Sequence, residues 1–244
     1  MSAARTLATA RRVLTQLRHD HRTVALMIVV PSVLVGLLAW VFDGTATFDR
    51  IGAPLIGVFP FVVMFLVTSV ATLRERTSGT LERLLSMPLG KLDLLLGYAL
   101  AFGAVAVVQA VVVSALSLTV YGLDVAGPAW MLVTVAVVDA VLGMALGLLV
   151  SAFAATEFQA AQFMPAFVLP QFLLCGLLVP RDELNDVLHA VSAVLPLSYA
   201  VDAMRTVTTD AEVGAGTWAD LGVVGLAVLL ALGLGAATLR RRTP

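Results

Sequence analysis

The sequence predicts an all-α membrane protein with six transmembrane helices, an N-terminal amphipathic interfacial helix, and outer re-entrant helices between spans five and six. Three observations predict it. The chain is 60% hydrophobic and 13% charged, with a mean hydropathy of +0.99, whereas soluble domains are about half apolar and about a quarter charged. Six apolar runs approach the roughly 20 residues that a helix needs to cross about 30 Å of hydrocarbon. Threading the chain through those six runs puts twelve of the 15 Lys and Arg residues on one side, the asymmetry that orients membrane proteins.

Residues 5–22 come first and predict an amphipathic helix. Leu7, Ala10, Leu14 and Leu17 recur at helical spacing, with Arg11, Arg18 and Arg22 on a neighbouring face. A basic amphipathic helix leading into a span suits the inner membrane surface; packing on a partner or on the protein's own cytoplasmic face is the alternative. The segment lacks the short apolar core and small-residue cleavage site of a secretory signal. The spans follow at 24–42, 54–73, 94–121, 130–153, 160–179 and 221–239. Each is expected to be helical, because a lone strand leaves backbone groups unpaired in lipid. The third is long enough to tilt or protrude, and Pro165 and Pro170 kink the fifth.

The basic residues sit in the N-terminal segment, in the 74–91 loop (Arg74, Arg76, Arg83, Lys91) and in the tail (Arg240, Arg241, Arg242). Both termini and that loop are therefore expected in the cytoplasm. Between spans five and six, residues 180–217 are too long for a simple connection. Leu184, Val187, Leu188, Val191, Val194 and Leu195 have helical periodicity, Pro196 stops that helix, and a second short helix follows from Tyr199 to about Val207. Neither is long enough to cross, so both are expected at the outer interface or dipping into it. No repeat or low-complexity linker divides the chain, and residues 1–244 read as a single transmembrane domain.

Much chemistry is missing. The net charge of −1 gives no basic surplus for nucleic acid. Cys175 is the sole cysteine, so neither an intramolecular disulfide nor a thiolate metal site is available. There is no G-x-x-x-x-G-K-[ST] phosphate loop, no H-E-x-x-H and no catalytic triad pattern. His19, His21 and His189 fall on opposite sides of the membrane in the six-span threading. The chain therefore reads as a non-enzyme without a metal or bound cofactor.

The loop after span two carries the most information. Its sequence is Arg74-Glu75-Arg76-Thr77-Ser78-Gly79-Thr80-Leu81-Glu82-Arg83-Leu84-Leu85-Ser86-Met87-Pro88. It predicts a short helix capped by Thr77 or Ser78, with Leu81, Leu84 and Leu85 on one face and Pro88 at the exit. Such a helix fits a groove on a cytoplasmic partner. Lying on lipid headgroups is the alternative.

This loop resembles the R-E-[RK]-x-x-G-T-L-E-x-L-L-x-x-P pattern of ABC-2 type transporter permeases, through Arg74, Glu75, Arg76, Gly79, Thr80, Leu81, Glu82, Leu84, Leu85 and Pro88. Gly176 and Pro180 resemble that family's G-x-x-x-P after the fifth span. Pro196, Tyr199, Asp202 and Arg205 match its outer L-P-x-x-[YH]-x-x-[DE]-x-[LM]-R stretch. The resemblance implies the permease subunit of a bacterial ATP-driven exporter in the cytoplasmic membrane. It also implies a homodimer, with two copies of a separate ABC ATPase that bind ATP and Mg. The 74–88 loop would be its coupling helix. The implied substrate is a hydrophobic drug, an antibiotic or a lipid-like molecule. Export of a lipid-linked glycan is the alternative within the class.

Asp139 lies nine residues into the fourth span, about 14 Å deep at ~1.5 Å per residue. Ionisable groups at that depth face the bundle or a cavity. Gly143, Gly147 and Ser151 continue its face at four-residue steps and form a helix-packing stripe. Asp139 is either a structural residue, hydrogen-bonded to a neighbouring span or present as a protonated acid, or a contact for a cationic substrate. An ion-coupled secondary transporter using Asp139 is the reading from another class, though it would bring inverted repeats. Gln109, Gln159, Gln162 and Gln171 fit interhelical hydrogen bonds. Trp40, Trp130 and Trp218 fit aromatic anchoring at outer span ends.

Overall fold

A computed structural model of the chain describes residues 2–43, 45, 47–78 and 90–238. Nine α-helices and one 3-10 turn make up these residues. They are α1 (Ala3–His19), α2 (His21–Val41), α3 (Thr47–Thr77), α4 (Lys91–Thr119), α5 (Ala129–Ser151), α6 (Glu157–Leu174), the turn Arg181–Glu183, α7 (Asp186–Ser192), α8 (Pro196–Thr209) and α9 (Ala215–Thr238). The loop residues Gly79, Thr80, Leu81, Glu82, Leu84, Leu85 and Pro88 lie outside the described residues, as does the Arg240–Arg242 tail.

Among the described residues, five helices are long and apolar enough to cross a bilayer: α2, α3, α4, α5 and α9. The expected fifth span is α6, which differs from the others. It has 18 residues and carries Glu157, three glutamines and two prolines. It nonetheless reaches from one end of the bundle to the other. Glu157 pairs with Arg74 at the end of α3, and the Leu174 carbonyl accepts a hydrogen bond from Ser192 in the re-entrant segment. At ~1.5 Å per residue its length is about 27 Å, close to the ~30 Å of hydrocarbon.

The packing has a clear centre. Helices α3 and α5 form the most extensive pair, and 61% of the apolar window of each is buried, against 22% for α2 and α9. Small residues explain the difference. A methyl group at Gly147 would lie 2.5 Å from the carbonyl oxygen of Phe65, and one at Gly143 would overlap the Phe61 backbone. The stripe expected from sequence is thus the seam that lets two backbones touch. In lipid, where apolar side chains gain little by leaving one neighbour for another, close van der Waals packing of this kind is a principal drive for association.

Several boundaries differ from the sequence reading. The expected span 160–179 loses its last five residues, because the helix stops at Leu174 and Gly176 adopts φ +91°, a conformation that L residues rarely adopt. The helix expected over Leu184–Leu195 is shorter, α7 alone at Asp186–Ser192, and the 3-10 turn at Arg181–Glu183 precedes it. Asn185 caps α7 by accepting the Leu188 N–H at 2.9 Å. Its Val187 and Val191 point away from the bundle and are exposed. The second outer helix starts three residues earlier than expected, at Pro196 in the N1 position, where a missing N–H costs nothing. α7 and α8 meet at 89°, and α8 packs on α3, α5 and α9.

At the other end, α3 continues through Arg74, Glu75 and Arg76 to Thr77. The loop motif therefore begins as the last turn of a span. α1 packs along α4 with Thr6, Thr9, Ala10 and Val13 buried, while Leu7 is 62% exposed. Of the apolar face expected from sequence, Ala10 is buried and Leu14 and Leu17 pack at the edge of the core, while Leu7 is turned outward. A methyl group at Gly97 would lie 2.5 Å from the Thr9 side chain, so the contact is close.

Candidate functional site

Two polar clusters and one buried acid carry the sequence-predicted site residues. The first cluster lies at the end of α3 that bears Arg74, Glu75 and Arg76, called here the basic end. Successive residues on a helix point about 100° apart, so three in a row reach three different neighbours. The Arg74 guanidinium donates to both carboxylate oxygens of Glu157, at 2.9 and 3.0 Å. That places the pair at the first turn of α6, where a carboxylate also faces the positive end of the helix. Glu75 accepts two hydrogen bonds from Arg12 of α1, at 3.4 and 3.0 Å. Arg12 also donates to the Tyr98 hydroxyl of α4 at 2.8 Å and lies 5.8 Å from that ring's centre. Arg76 donates to the backbone carbonyl of Ser151, the last residue of α5, whose carbonyl has no partner within its own helix.

The result is that one turn of α3 holds α1, α5 and α6, and reaches α4 through Arg12. The bonds differ in strength. The Arg74 and Glu157 side chains are 66% and 47% exposed, so their pair is worth about 0–1 kcal/mol. Arg12 and Glu75 are 28% and 18% exposed. Their bidentate contact, with Tyr98 attached, falls in the ~1.5–3 kcal/mol range of hydrogen bonds to charged groups. Sequence reasoning found Arg74, Glu75 and Arg76 but not their partners. Arg12 was one of five equivalent N-terminal arginines, and nothing near Tyr98 or Glu157 in sequence marks them.

The second cluster is the outer re-entrant motif. Gly176, Pro180, Pro196, Tyr199, Asp202 and Arg205 come together around the bend between α6 and α8. Arg181 forms an ion pair with Asp202 and lies 5.2 Å from the centre of the Tyr199 ring. The Tyr199 hydroxyl donates to the Ala193 carbonyl at 2.7 Å. Ser192 donates to the Leu174 carbonyl at 2.9 Å and lies 3.2 Å from the Ser198 hydroxyl. A methyl group on Gly176 would meet the Arg181 side chain at 3.2 Å and Arg205 Nη1 at 3.6 Å. Pro180 leads into the 3-10 turn. The far end of α8 is held by the α4–α5 connection. Ala126 and Gly127 N–H groups donate to the Thr208 and Val207 carbonyls, at 3.1 and 2.9 Å. Those carbonyls are among the last of the helix and would otherwise be unpaired. Arg181, Ser192 and Gly127 were not singled out from sequence.

Asp139 lies between the clusters and is wholly buried. It has no hydrogen-bond partner among the described residues. Its neighbours are Gly57 of α3 and Met204 of α8: a methyl group on Gly57 would lie 2.9 Å from Asp139 Oδ2 and 2.5 Å from Met204 Cε. Asp139 therefore faces other helices and is covered by the re-entrant helix. Of the expected polar span residues, Gln109 is buried without a partner among the described residues, while Gln171 donates to the Phe167 carbonyl one turn earlier at 3.1 Å. Trp130 and Trp218 lie 6.3 Å apart at neighbouring ends of α5 and α9, and Trp40 is exposed at the end of α2.

Comparison with known proteins matches residues 5–208 to the family described as "ABC-2 type transporter". The chain is 28% identical over 153 residues to the "Probable multidrug ABC transporter permease YbhR" of Escherichia coli K12, covering 63% of this chain and 42% of that protein. It is 24% identical over 159 residues to the "ABC transporter G family member 20" of Dictyostelium discoideum, covering 65% of this chain and 22% of that protein. The chain thus spans less than half the length of either relative.

Proposed function

The chain belongs to the ABC-2 type transporter family, and from that premise we propose that it is the permease subunit of an ATP-driven exporter whose ATPase is a separate protein. The observation that carries the proposal is the three-way anchorage of Arg74, Glu75 and Arg76. These residues open the motif whose remainder, 79–88, resembles a coupling helix. They join the entry to that segment to α1, α5 and α6 directly and to α4 through Arg12. A push on the loop is therefore felt by α1, α4, α5 and α6 together, as a transporter that switches between two states requires.

In this reading the loop docks on the ATPase, which binds ATP and Mg. Two permease copies and two ATPase copies form the working unit. Both termini face the cytoplasm of a bacterium, where basic segments accumulate. The substrate is a hydrophobic drug, an antibiotic or a lipid-like molecule. The printed name of the Escherichia coli relative, a probable multidrug permease, favours the small-molecule choice over a lipid-linked glycan. Asp139 serves helix packing in this reading, because Met204 and Gly57 cover it. Asp139→Asn is accordingly expected to change tolerance of cationic and neutral compounds equally, measured by growth inhibition.

The deciding experiment is a mild-detergent pull-down from native membranes, repeated with Glu82→Lys and Leu85→Asp. The expected result is an equimolar ATPase with the parent chain and none with the variants, while membrane insertion is unchanged. Recovery of the chain alone from well-folded samples would overturn the proposal and favour an ion-coupled transporter.

A further inference from the structure

A groove of about 540 Å³ lies where α1 turns into α2, with α4 as its floor. That volume is within the ~300–1,000 Å³ of ordinary ligand sites. Leu17 of α1, Ile28 of α2, and Val105 and Val108 of α4 make its walls apolar. Its polar side chains, Arg18 and His21, sit together at the α1–α2 elbow. Arg18 is exposed and has no hydrogen-bond or ion-pair partner among the described residues. The acid nearest in sequence, Asp20, is occupied: it accepts from the Thr23 N–H at 3.1 Å and from the Thr23 hydroxyl at 2.6 Å. Those two bonds hold its carboxyl below the usual carboxylate range.

We propose that this groove binds one anionic phospholipid, with its phosphate at Arg18 and His21 and an acyl chain along α2 and α4. Three features argue for this occupant. The site opens on membrane-facing surface, since the neighbouring Leu26, Val29 and Val107 are all exposed. Its order from surface to depth, cation then apolar slot, is the order of a phospholipid, headgroup then acyl chain. The cation is unsatisfied by protein and matches the net negative charge of an anionic headgroup, whereas in a zwitterionic headgroup the ammonium offsets the phosphate charge. A seated lipid would also brace α1, the helix that brings Arg12 to Glu75. The proposal does not depend on the export reading.

The test is native mass spectrometry of the full chain in detergent, titrated separately with phosphatidylglycerol and phosphatidylcholine of the same acyl chains. The first lipid retained is expected to favour phosphatidylglycerol about fivefold, the effect of one cation near the membrane surface. Arg18→Gln should remove that preference by weakening phosphatidylglycerol more than phosphatidylcholine; it is exposed and tests the headgroup contact without altering packing. Ala25→Trp, which fills the groove, should weaken both lipids. An unchanged preference in Arg18→Gln would overturn the proposal, as would full lipid retention by a monodisperse Ala25→Trp protein. A disulfide-linked dimer formed by Ala25→Cys in a Cys175→Ser background would also overturn it, by placing a second copy in the groove.

Discussion

At the basic end, Glu75, Arg76 and Arg74 find partners 63, 75 and 83 residues away in sequence. At the opposite end, Arg181, Ser192 and Tyr199 find theirs within 21 residues. The first set joins helices that are otherwise only packed side by side. The second folds one short segment back on itself and closes the outer part of the bundle. Contacts between distant elements transmit displacement from one to another, whereas contacts inside a hairpin let it move as a unit. Under the proposed function, the difference would suit a protein pushed at one end and opened at the other.

Four substitutions test this contrast, beginning with the seam that both ends share. Gly143→Val puts a side chain into the Phe61 backbone and leaves no small adjustment that accommodates it. Overpacking costs about 1–3 kcal/mol even where side chains can yield. The expected outcome is loss of monodisperse protein on size exclusion. Normal elution would refute the α3–α5 contact and remove the scaffold on which the contrast rests.

Glu75→Ala comes next. It removes the partner of a half-buried arginine, a loss of about 1.5–3 kcal/mol, read as a lower thermal unfolding midpoint. In a double-mutant cycle with Arg12→Ala the two losses should not add. Additive losses would break the proposed link between α1 and α3. Gly176→Ala should cost roughly 1–2 kcal/mol, because an L residue is strained at its φ of +91°. If the outer segment is self-contained, this variant still co-purifies with the proposed ATPase partner to the same extent as the parent; loss of that partner would show that the two ends are not separable. The smallest effect is Arg74→Ala, under about 1 kcal/mol for an exposed pair and weaker still at high salt. A larger loss that salt does not reduce would mean that the Arg74–Glu157 pair is buried by a partner in the assembly.

Much of the architecture was legible because it depends on local composition. Apolar runs near 20 residues identify spans without knowledge of their neighbours, and α2, α3, α4, α5 and α9 appear where the hydropathy places them. The Gly143–Gly147 stripe was legible for a related reason: residues four apart share one helix face. Legibility failed where a long-range contact or a single torsion decides. α6 reads as a weak span on composition, and only its attachment at both ends of the bundle shows that it runs the full thickness. Its early stop follows from the backbone angle at Gly176, which the apolar run through Val179 conceals.

Hydropathy and helical periodicity are properties of one segment, so by itself the sequence determined the membrane class, the helical elements and the motif residues of both clusters. Partner choice is a property of two segments brought together. Only the tertiary structure decided that Arg12 rather than another N-terminal arginine meets Glu75, that α1 buries its threonine face on α4, and that Met204 of the re-entrant helix covers Asp139. Each follows from how helices pack, where a few ångströms of approach at Gly57, Gly97 and Gly147 select which side chains can meet.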